Sequence, residues 1–394
     1  MLSNNTKPIY LDYAATTPVD PVVAEMMSEY MMIGGTFGNP SSIHPVGRQS
    51  AAAVEIAREQ LAALLNVNPH TLVWTSGATE SVNLGLIGAA RFRSSRGKHL
   101  ITMPTEHKAV TDSFQALELE GFTVTYLIPD KDGILPLVEL EAAIRDDTQL
   151  VSIMHVNNEI GVIQDIQRIG ECCRQRDILF HVDASQSIGK LPIDLSELPV
   201  DLLSLTAHKF YGPKGVGALY VAERPGCYVD PLFYGGGQER RLRPGTLPVH
   251  QIVGLGATAS LAKSRQARDL VHLHGLRDRL WSGLKQISGI IRNGSDTESL
   301  PSILNVSIEG IEGESLMLAL SPLCVSSGSA CNSTHHESSY VLRALGRDDL
   351  LAQSAIRFSF GRNTTKDEID LAIDFYTEAV SHLRAISPQH KQLA

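Results

Sequence analysis

Seven short apolar runs punctuate the first part of the chain, at residues 72–75, 99–103, 123–128, 150–154, 178–182, 202–205 and 217–221. Most are continuous stretches of leucine, isoleucine and valine instead of an apolar–polar alternation, the pattern of strands covered on both faces. Stretches with helical spacing separate most of them. Residues 49–65 repeat apolar side chains at Ala53, Ile56, Ala57, Leu61 and Leu64, and 110–120 and 166–175 are further helical stretches. Buried strands joined by helical crossovers predict a mostly parallel seven-stranded sheet with helices on both sides. Ligands of such sheets bind beyond the carboxyl ends of the strands.

The pattern changes on either side of this region. An arm reaches to about Thr17, a helix is predicted over 18–30, and glycine and proline make 34–40 a loop. After Pro248 a long helix over 250–274 leads away from the sheet. Beyond it come strands at 303–308 and 355–359, a helix at 314–320 and a final helix. That last helix opens on a capping box at 365–368 and sets Ile369, Ala372, Phe375 and Tyr376 on one face. The expected fold is α/β, with a large domain at 18–260 and a smaller α+β domain formed by 1–17 and 261–394.

Composition narrows the class. At 394 residues the chain is long enough for two domains, and 43% hydrophobic against 20% charged residues describes a soluble globular protein. The 34 basic and 43 acidic residues leave a net charge of −9, which disfavours a general nucleic-acid or anionic-membrane surface. No apolar run reaches the length of a membrane span, and Met1 to Pro8 contain no apolar leader. The five cysteines, none in C-x-x-C spacing, argue against a disulfide framework and for a reducing, cytoplasmic location. Cys172, Cys173, Cys227 and Cys324 read as small buried or half-buried residues.

Two strand ends carry the first chemical signal. The run 200–205 passes into Thr206, Ala207, His208 and Lys209 before a turn rich in glycine and proline. A lysine leaving a buried strand is desolvated, which favours the neutral, nucleophilic amine of a Schiff-base lysine. Most lysines at strand ends are plain surface residues, so the neighbours decide. The run 178–182 ends in Asp183, and a carboxylate is the partner that pyridoxal phosphate needs at its pyridinium nitrogen. A unit pair about 4 Å apart, at an effective dielectric near 20, is worth about 4 kcal/mol, enough to hold that proton in place.

These positions belong to a longer series. It includes Thr75-Ser-Gly-Ala-Thr79-Glu-Ser81, Thr105-Glu-His107-Lys-Ala-Val110, His155-Val-Asn-Asn158-Glu-Ile-Gly161, Arg243-Pro-Gly-Thr246 and Ser326-Ser-Gly-Ser-Ala-Cys331. Together, and in this order, they resemble the pyridoxal-phosphate-dependent cysteine desulfurases, which are class-V aminotransferase-like enzymes. The resemblance runs from Tyr10-Leu-Asp-Tyr-Ala-Ala-Thr-Thr17 to Ile356-Arg357-Phe-Ser-Phe-Gly-Arg362, essentially the whole chain.

The resemblance implies an aminotransferase-like fold, pyridoxal 5'-phosphate as cofactor, a homodimer, and conversion of L-cysteine to L-alanine. Ala78 and Thr79 would cradle the phosphate at a helix start, where free N–H groups and the helix dipole favour an anion. Thr206 and His208 would complete that cradle, and Thr246 would reach the phosphate held by the neighbouring subunit. Gln186 would contact the phenolic oxygen, while His107 would stack on the ring and serve as an acid–base group. Arg357, helped by Asn158, would take the substrate carboxylate, since arginine is built for bidentate pairing.

Cys331 follows a run of serine, glycine and alanine that predicts a mobile loop at about 322–340. By resemblance it would receive the sulfur as a persulfide and pass it on. A free thiol is only about 3% thiolate at pH 7, so a neighbouring base such as His107 would have to activate it. Any contact of Cys331 with metal would be transient, through its persulfide, while a cluster is shared with a scaffold protein. The implied acceptors are an iron–sulfur scaffold protein and routes to tRNA or cofactor thiolation. The paired His335 and His336, and a tail ending at 387–394, depart from the housekeeping form of the family, whose longer tail helps dock the scaffold. A selenocysteine lyase or another class-V enzyme is the nearest alternative. A non-catalytic relative is disfavoured, because Lys209, Asp183, His107 and Cys331 are all present.

Overall fold

The computed structural model describes residues 8–327 and 338–386, so Cys331, His335 and His336 lie outside the described residues. The chain opens with β1 (Ile9–Tyr10), α1 (Pro21–Ser28) and α2 (Pro45–Leu65). Next come β2 (Leu72–Thr75), α3 (Ala78–Phe92), β3 (His99–Thr102), α4 (Lys108–Leu119), β4 (Thr123–Tyr126) and α5 (Leu137–Ala143). They are followed by β5 (Thr148–Met154), α6 (Ile166–Arg174), β6 (Leu179–Asp183), β7 (Leu202–Thr206) and β8 (Gly217–Val221). Strands β2 to β8 form one seven-stranded sheet in the order β2-β8-β7-β6-β5-β3-β4. Only β8 runs against the others, pairing antiparallel with both β2 and β7. The expected mostly parallel sheet is present, each strand within two residues of its apolar run.

Alternate strand residues feed two cores. Trp74, Val151, Phe180 and Leu203 join the apolar sides of α2 and α6 on one face of the sheet. Val73, Leu100, Leu150, Leu179 and Leu202 join α3 and α4 on the other. Each fully buried side chain of this size contributes about 1.5–3 kcal/mol relative to exposure. The strands are continuous in apolar residues because both faces are covered.

A third core lies beyond this sheet. The long helix α7 (Val249–Leu284) runs to Leu284 and not, as the sequence reading has it, to residue 274. Its middle is polar, but apolar spacing resumes at Leu273, Leu276, Leu280 and Leu284, all buried in this further core. There follow β9 (Ile290–Asn293), β10 (Ile303–Ile308), α8 (Gly313–Ala319), β11 (Leu323–Cys324) and β12 (Ser326–Ser327). The described chain ends with α9 (Tyr340–Ala344), α10 (Asp349–Gln353), β13 (Ile356–Ser359) and α11 (Lys366–Ile386). An antiparallel sheet in the order β12-β13-β10-β9 packs against α7 and α11. The capping box of α11 forms reciprocally: Thr365 N donates to Glu368 Oε2 at 2.7 Å, and Glu368 N to Thr365 Oγ1 at 3.2 Å. Strand β9 was not foreseen; two isoleucines between Gly289 and Gly294 with Arg292 and Asn293 make too short a run to stand out.

The N-terminal arm ties the two regions together. Strand β1 pairs in parallel with β11, and Ser359 N donates to Leu11 O at 2.8 Å. A few residues on, Thr17 N donates to His208 O at 2.9 Å, in the turn that follows β7. No helix among the described residues is long and apolar enough to cross a membrane.

Candidate active site

A cavity of about 570 Å³ opens beyond the carboxyl ends of β2, β5, β6 and β7. One wall is the start of α3. Gly77 precedes it at φ +155°, ψ −178°, a backbone region that essentially only glycine occupies. No side chain among the described residues caps this helix, which leaves the N–H groups of Ala78 and Thr79 available at the cavity wall. Thr206 also lines the cavity, its Oγ1 donating to Val216 O at 3.2 Å. His208 Nδ1 meets Thr16 Oγ1 at 3.1 Å. Burial, with Lys209, Lys214 and Lys190 nearby, pushes His208 down to about 4, so its ring is neutral at physiological pH. Lys214, the alternative to Lys209 as the lysine that holds the cofactor, lines the same region.

Lys209 sits in a single 3₁₀ turn directly after β7, and its Nζ donates to Ala14 O at 2.6 Å and Ala15 O at 2.8 Å. Asp183, the last residue of β6, accepts at Oδ1 from Ser185 N at 2.9 Å and Ser185 Oγ at 2.5 Å. Gln186 Nε2 donates to Ala14 O at 2.9 Å. His107 caps α4, its Nδ1 accepting from Ala109 N at 3.1 Å. In the neutral ring that bond places the proton on Nε2.

Arg357 is buried in β13, and both of its terminal nitrogens are engaged. Nη1 donates to Asn158 O at 2.8 Å, and Nη2 to Asp12 Oδ1 at 2.8 Å and Ser326 Oγ at 3.0 Å. Nε and the side-chain oxygen of Asn158 are buried with no hydrogen-bond partner among the described residues. Both residues line the cavity. Of the predicted site residues that are described, Thr246 alone stays off this cavity, on an exposed turn.

The sequence reading assigned no role to four further side chains here. Asp12 and Ser326 hold Arg357, and each lies inside a motif that carried the family resemblance. Glu106 is fully buried and accepts from Met154 N at 2.9 Å; burial, with Asp183 nearby, raises its carboxyl well above the usual range. Burial pushes Glu159 up to about 7, opposed by a 2.5 Å hydrogen bond from Ser339 Oγ and by Arg357. These acids also lie within the motifs, beside His107 and Asn158.

The family model described as aminotransferase class-V matches residues 9–371. The chain belongs to that family. A relative named cysteine desulfurase IscS, from Salmonella schwarzengrund (strain CVM19633), is 58% identical over 382 residues, covering 97% of this chain and 95% of its own. A solved NifS-like protein superposes with a TM-score of 0.89 at 39% identity, covering 96% of this chain and all of that one (100%). A structure described as SspA in complex with cysteine superposes with a TM-score of 0.79 at 37% identity, covering 91% of this chain and 100% of that one. Within the class-V aminotransferases the chain belongs among the cysteine desulfurases, which are pyridoxal-phosphate enzymes.

The residues present fit that cofactor. An uncapped helix start suits a phosphate, Asp183 a pyridinium nitrogen, and Lys209 an aldehyde, and all three line one cavity. When bound, pyridoxal phosphate supplies an electron sink for the carbon atoms of an amino acid.

Proposed function

We propose that this chain takes sulfur from L-cysteine, releases L-alanine and carries the sulfur as a persulfide on Cys331. The observation that carries this reading is the meeting of Lys209, Asp183, the start of α3 and Ser327 on one cavity. Four residue steps separate Ser327 from Cys331, at most about 14 Å of chain.

In this reading Lys209 carries the cofactor, and Ala78, Thr79, Thr206 and His208 hold its phosphate. Asp183 keeps the ring nitrogen protonated, and Gln186 donates to the phenolic oxygen. His107 stacks on the ring and moves a proton at Nε2. Arg357 and Asn158 hold the substrate carboxylate. The Cys331 thiolate bonds to the substrate sulfur as the Cβ–S bond breaks. The electron pair of that bond, with a proton, stays on the carbon fragment that leaves as alanine. The relative solved with cysteine supports this substrate.

The same reading makes the enzyme a cytoplasmic homodimer in which Thr246, on its exposed turn, reaches the phosphate held by the neighbouring subunit. Residues 18–260 form the cofactor-binding domain, and 1–17 with 261–394 form the smaller one. Sulfur passes to an iron–sulfur scaffold protein and to tRNA or cofactor thiolation. The test is incubation of the purified protein with cysteine and a thiol reductant. Sulfide and alanine in equal amounts are expected. An aminotransferase would yield a keto acid without sulfide, and a selenocysteine lyase would not turn over cysteine; either result would overturn the reading.

A further inference from the structure

Gln186 lines the cavity, and two contacts fix which way round its amide sits. Oε1 accepts from Lys190 Nζ at 3.1 Å, and Nε2 donates to Ala14 O at 2.9 Å. Turned over, the amide would set N–H groups against the lysine donor and its oxygen against a carbonyl, losing both bonds. The observed orientation leaves one amide N–H of Gln186 for the cavity.

The local fold makes this pairing. Ser187 N and Ile188 N donate to Ala184 O, and Lys190 N and Leu191 N donate to Ser187 O, so the chain coils back and brings residues 186 and 190 together. Gly189 permits the coil: its φ is +70°, and a Cβ there would lie 2.5 Å from Phe210 Cδ2. The stem of Lys190 is partly exposed while its ammonium is enclosed, and Gln186 is its hydrogen-bond partner. Lys190 also borders a small cavity of about 20 Å³ that Thr17 and Ser302 line as well. That is room for one water. Burial, with Lys209 and Arg357 nearby, pushes the Lys190 ammonium down to about 7. Enclosing an ammonium against a single neutral oxygen opposes folding, and a lysine pointing outward would avoid it.

We propose that Lys190 is a positioning residue: it locks the amide of Gln186 so that an N–H group faces the phenolic oxygen of the bound cofactor. This rests on the reading of Gln186 as the group that contacts that oxygen. A donor there favours the anionic oxygen, so the protonation midpoint of the visible band, and not merely turnover, reports the contact.

The test is a pH titration of the visible spectrum of the cofactor-loaded protein. Wild type is compared with Gln186→Met, Lys190→Met, Lys190→Arg and the double variant Gln186→Met/Lys190→Met. Losing one hydrogen bond to a charged oxygen should raise the midpoint by about one pH unit in Gln186→Met and by a comparable amount in Lys190→Met. Lys190→Arg, which keeps a donor, should stay near wild type. Because Lys190 acts through Gln186, the double variant should shift no further than Gln186→Met alone. Additive shifts would show that Lys190 acts only through its charge and would overturn the proposal. So would a wild-type midpoint in Lys190→Met beside a shifted Gln186→Met. An unshifted Gln186→Met would instead remove the reading of Gln186 itself, and the proposal with it. Should Lys190→Met not fold, Lys190→Leu, which also lacks a donor, replaces it with the same expected shift and the same overturning results.

Discussion

In the proposed reading, the ion pair between Asp12 and Arg357 limits how tightly the enzyme can hold a substrate carboxylate. Asp12 Oδ1 engages Nη2 at 2.8 Å and also accepts from Ser326 Oγ at 2.8 Å. An incoming carboxylate has to displace or share that oxygen, with the unpartnered Nε as its second donor. Asp12→Asn keeps the shape and removes the competing charge. Two unit charges 4 Å apart at an effective dielectric near 20 interact by about 4 kcal/mol. The Asp12 side chain is 20% exposed and that of Arg357 9%, so screening cuts this figure. About 1–2 kcal/mol remains, a factor of about 5–30 in affinity. Asp12→Asn should tighten cysteine binding by that factor, while the unliganded protein loses stability because Arg357 is left without its carboxylate. Binding is read by titrating cysteine against the visible band in a Cys331→Ser background, where the substrate stays intact. Arg357→Ala should weaken binding by about 100-fold or more, and adding Asp12→Asn to it should change nothing further. Unchanged or weaker binding in Asp12→Asn with Arg357 intact would refute the competition.

Lys209→Ala should fold normally and show no visible band when loaded with cofactor; a retained band would move the assignment to Lys214. Glu239→Ala should destabilise the protein by about 3–5 kcal/mol in denaturant unfolding. Its carboxylate receives Arg58 at 2.7 and 3.0 Å and Trp74 N at 2.8 Å; its loss leaves Trp74 N without that acceptor and buried Arg58 with the largely exposed Glu55 as its carboxylate partner. The same contacts hold Glu239, Arg240 and Arg241 at φ of +44°, +56° and +68°, so a change below about 1 kcal/mol would contradict the reasoning. Glu159 is raised from 4.5 to about 7, so the folded state keeps a proton that the unfolded chain has released. Its contribution to stability therefore falls as pH rises between those values. Glu159→Gln should gain stability relative to wild type across that window, measured by urea unfolding; parallel pH profiles would count against it.

The large sheet was legible because burial on both faces leaves uninterrupted apolar runs, and Lys209 and Asp183 were legible because each closes such a run. Asp12 was not, since its partner Arg357 lies 345 residues away and the pairing exists only once the arm crosses to β13. The carbonyls of Ala14 and Ala15 that receive Lys209 are backbone atoms, which leave no mark on residue type. Glu106 and Glu159 resemble surface acids until tertiary packing encloses them. The end of α7 was missed for a related reason. Polar residues interrupt its pattern where the helix leaves one core and before it enters the next.

The central claim is that sulfur passes from cysteine to Cys331, and peptide mass spectrometry after adding cysteine without reductant tests it most directly. The expected result is one extra sulfur per chain on the peptide containing Cys331, matched by an equal amount of alanine, with neither formed by Cys331→Ser. Three of the other four thiols are poor candidates: Cys172 and Cys173 are buried, and burial pushes the Cys227 thiol up to about 12. Sulfur found mainly on Cys227 or Cys324, or alanine released by Cys331→Ser at the wild-type rate, would contradict the mechanism.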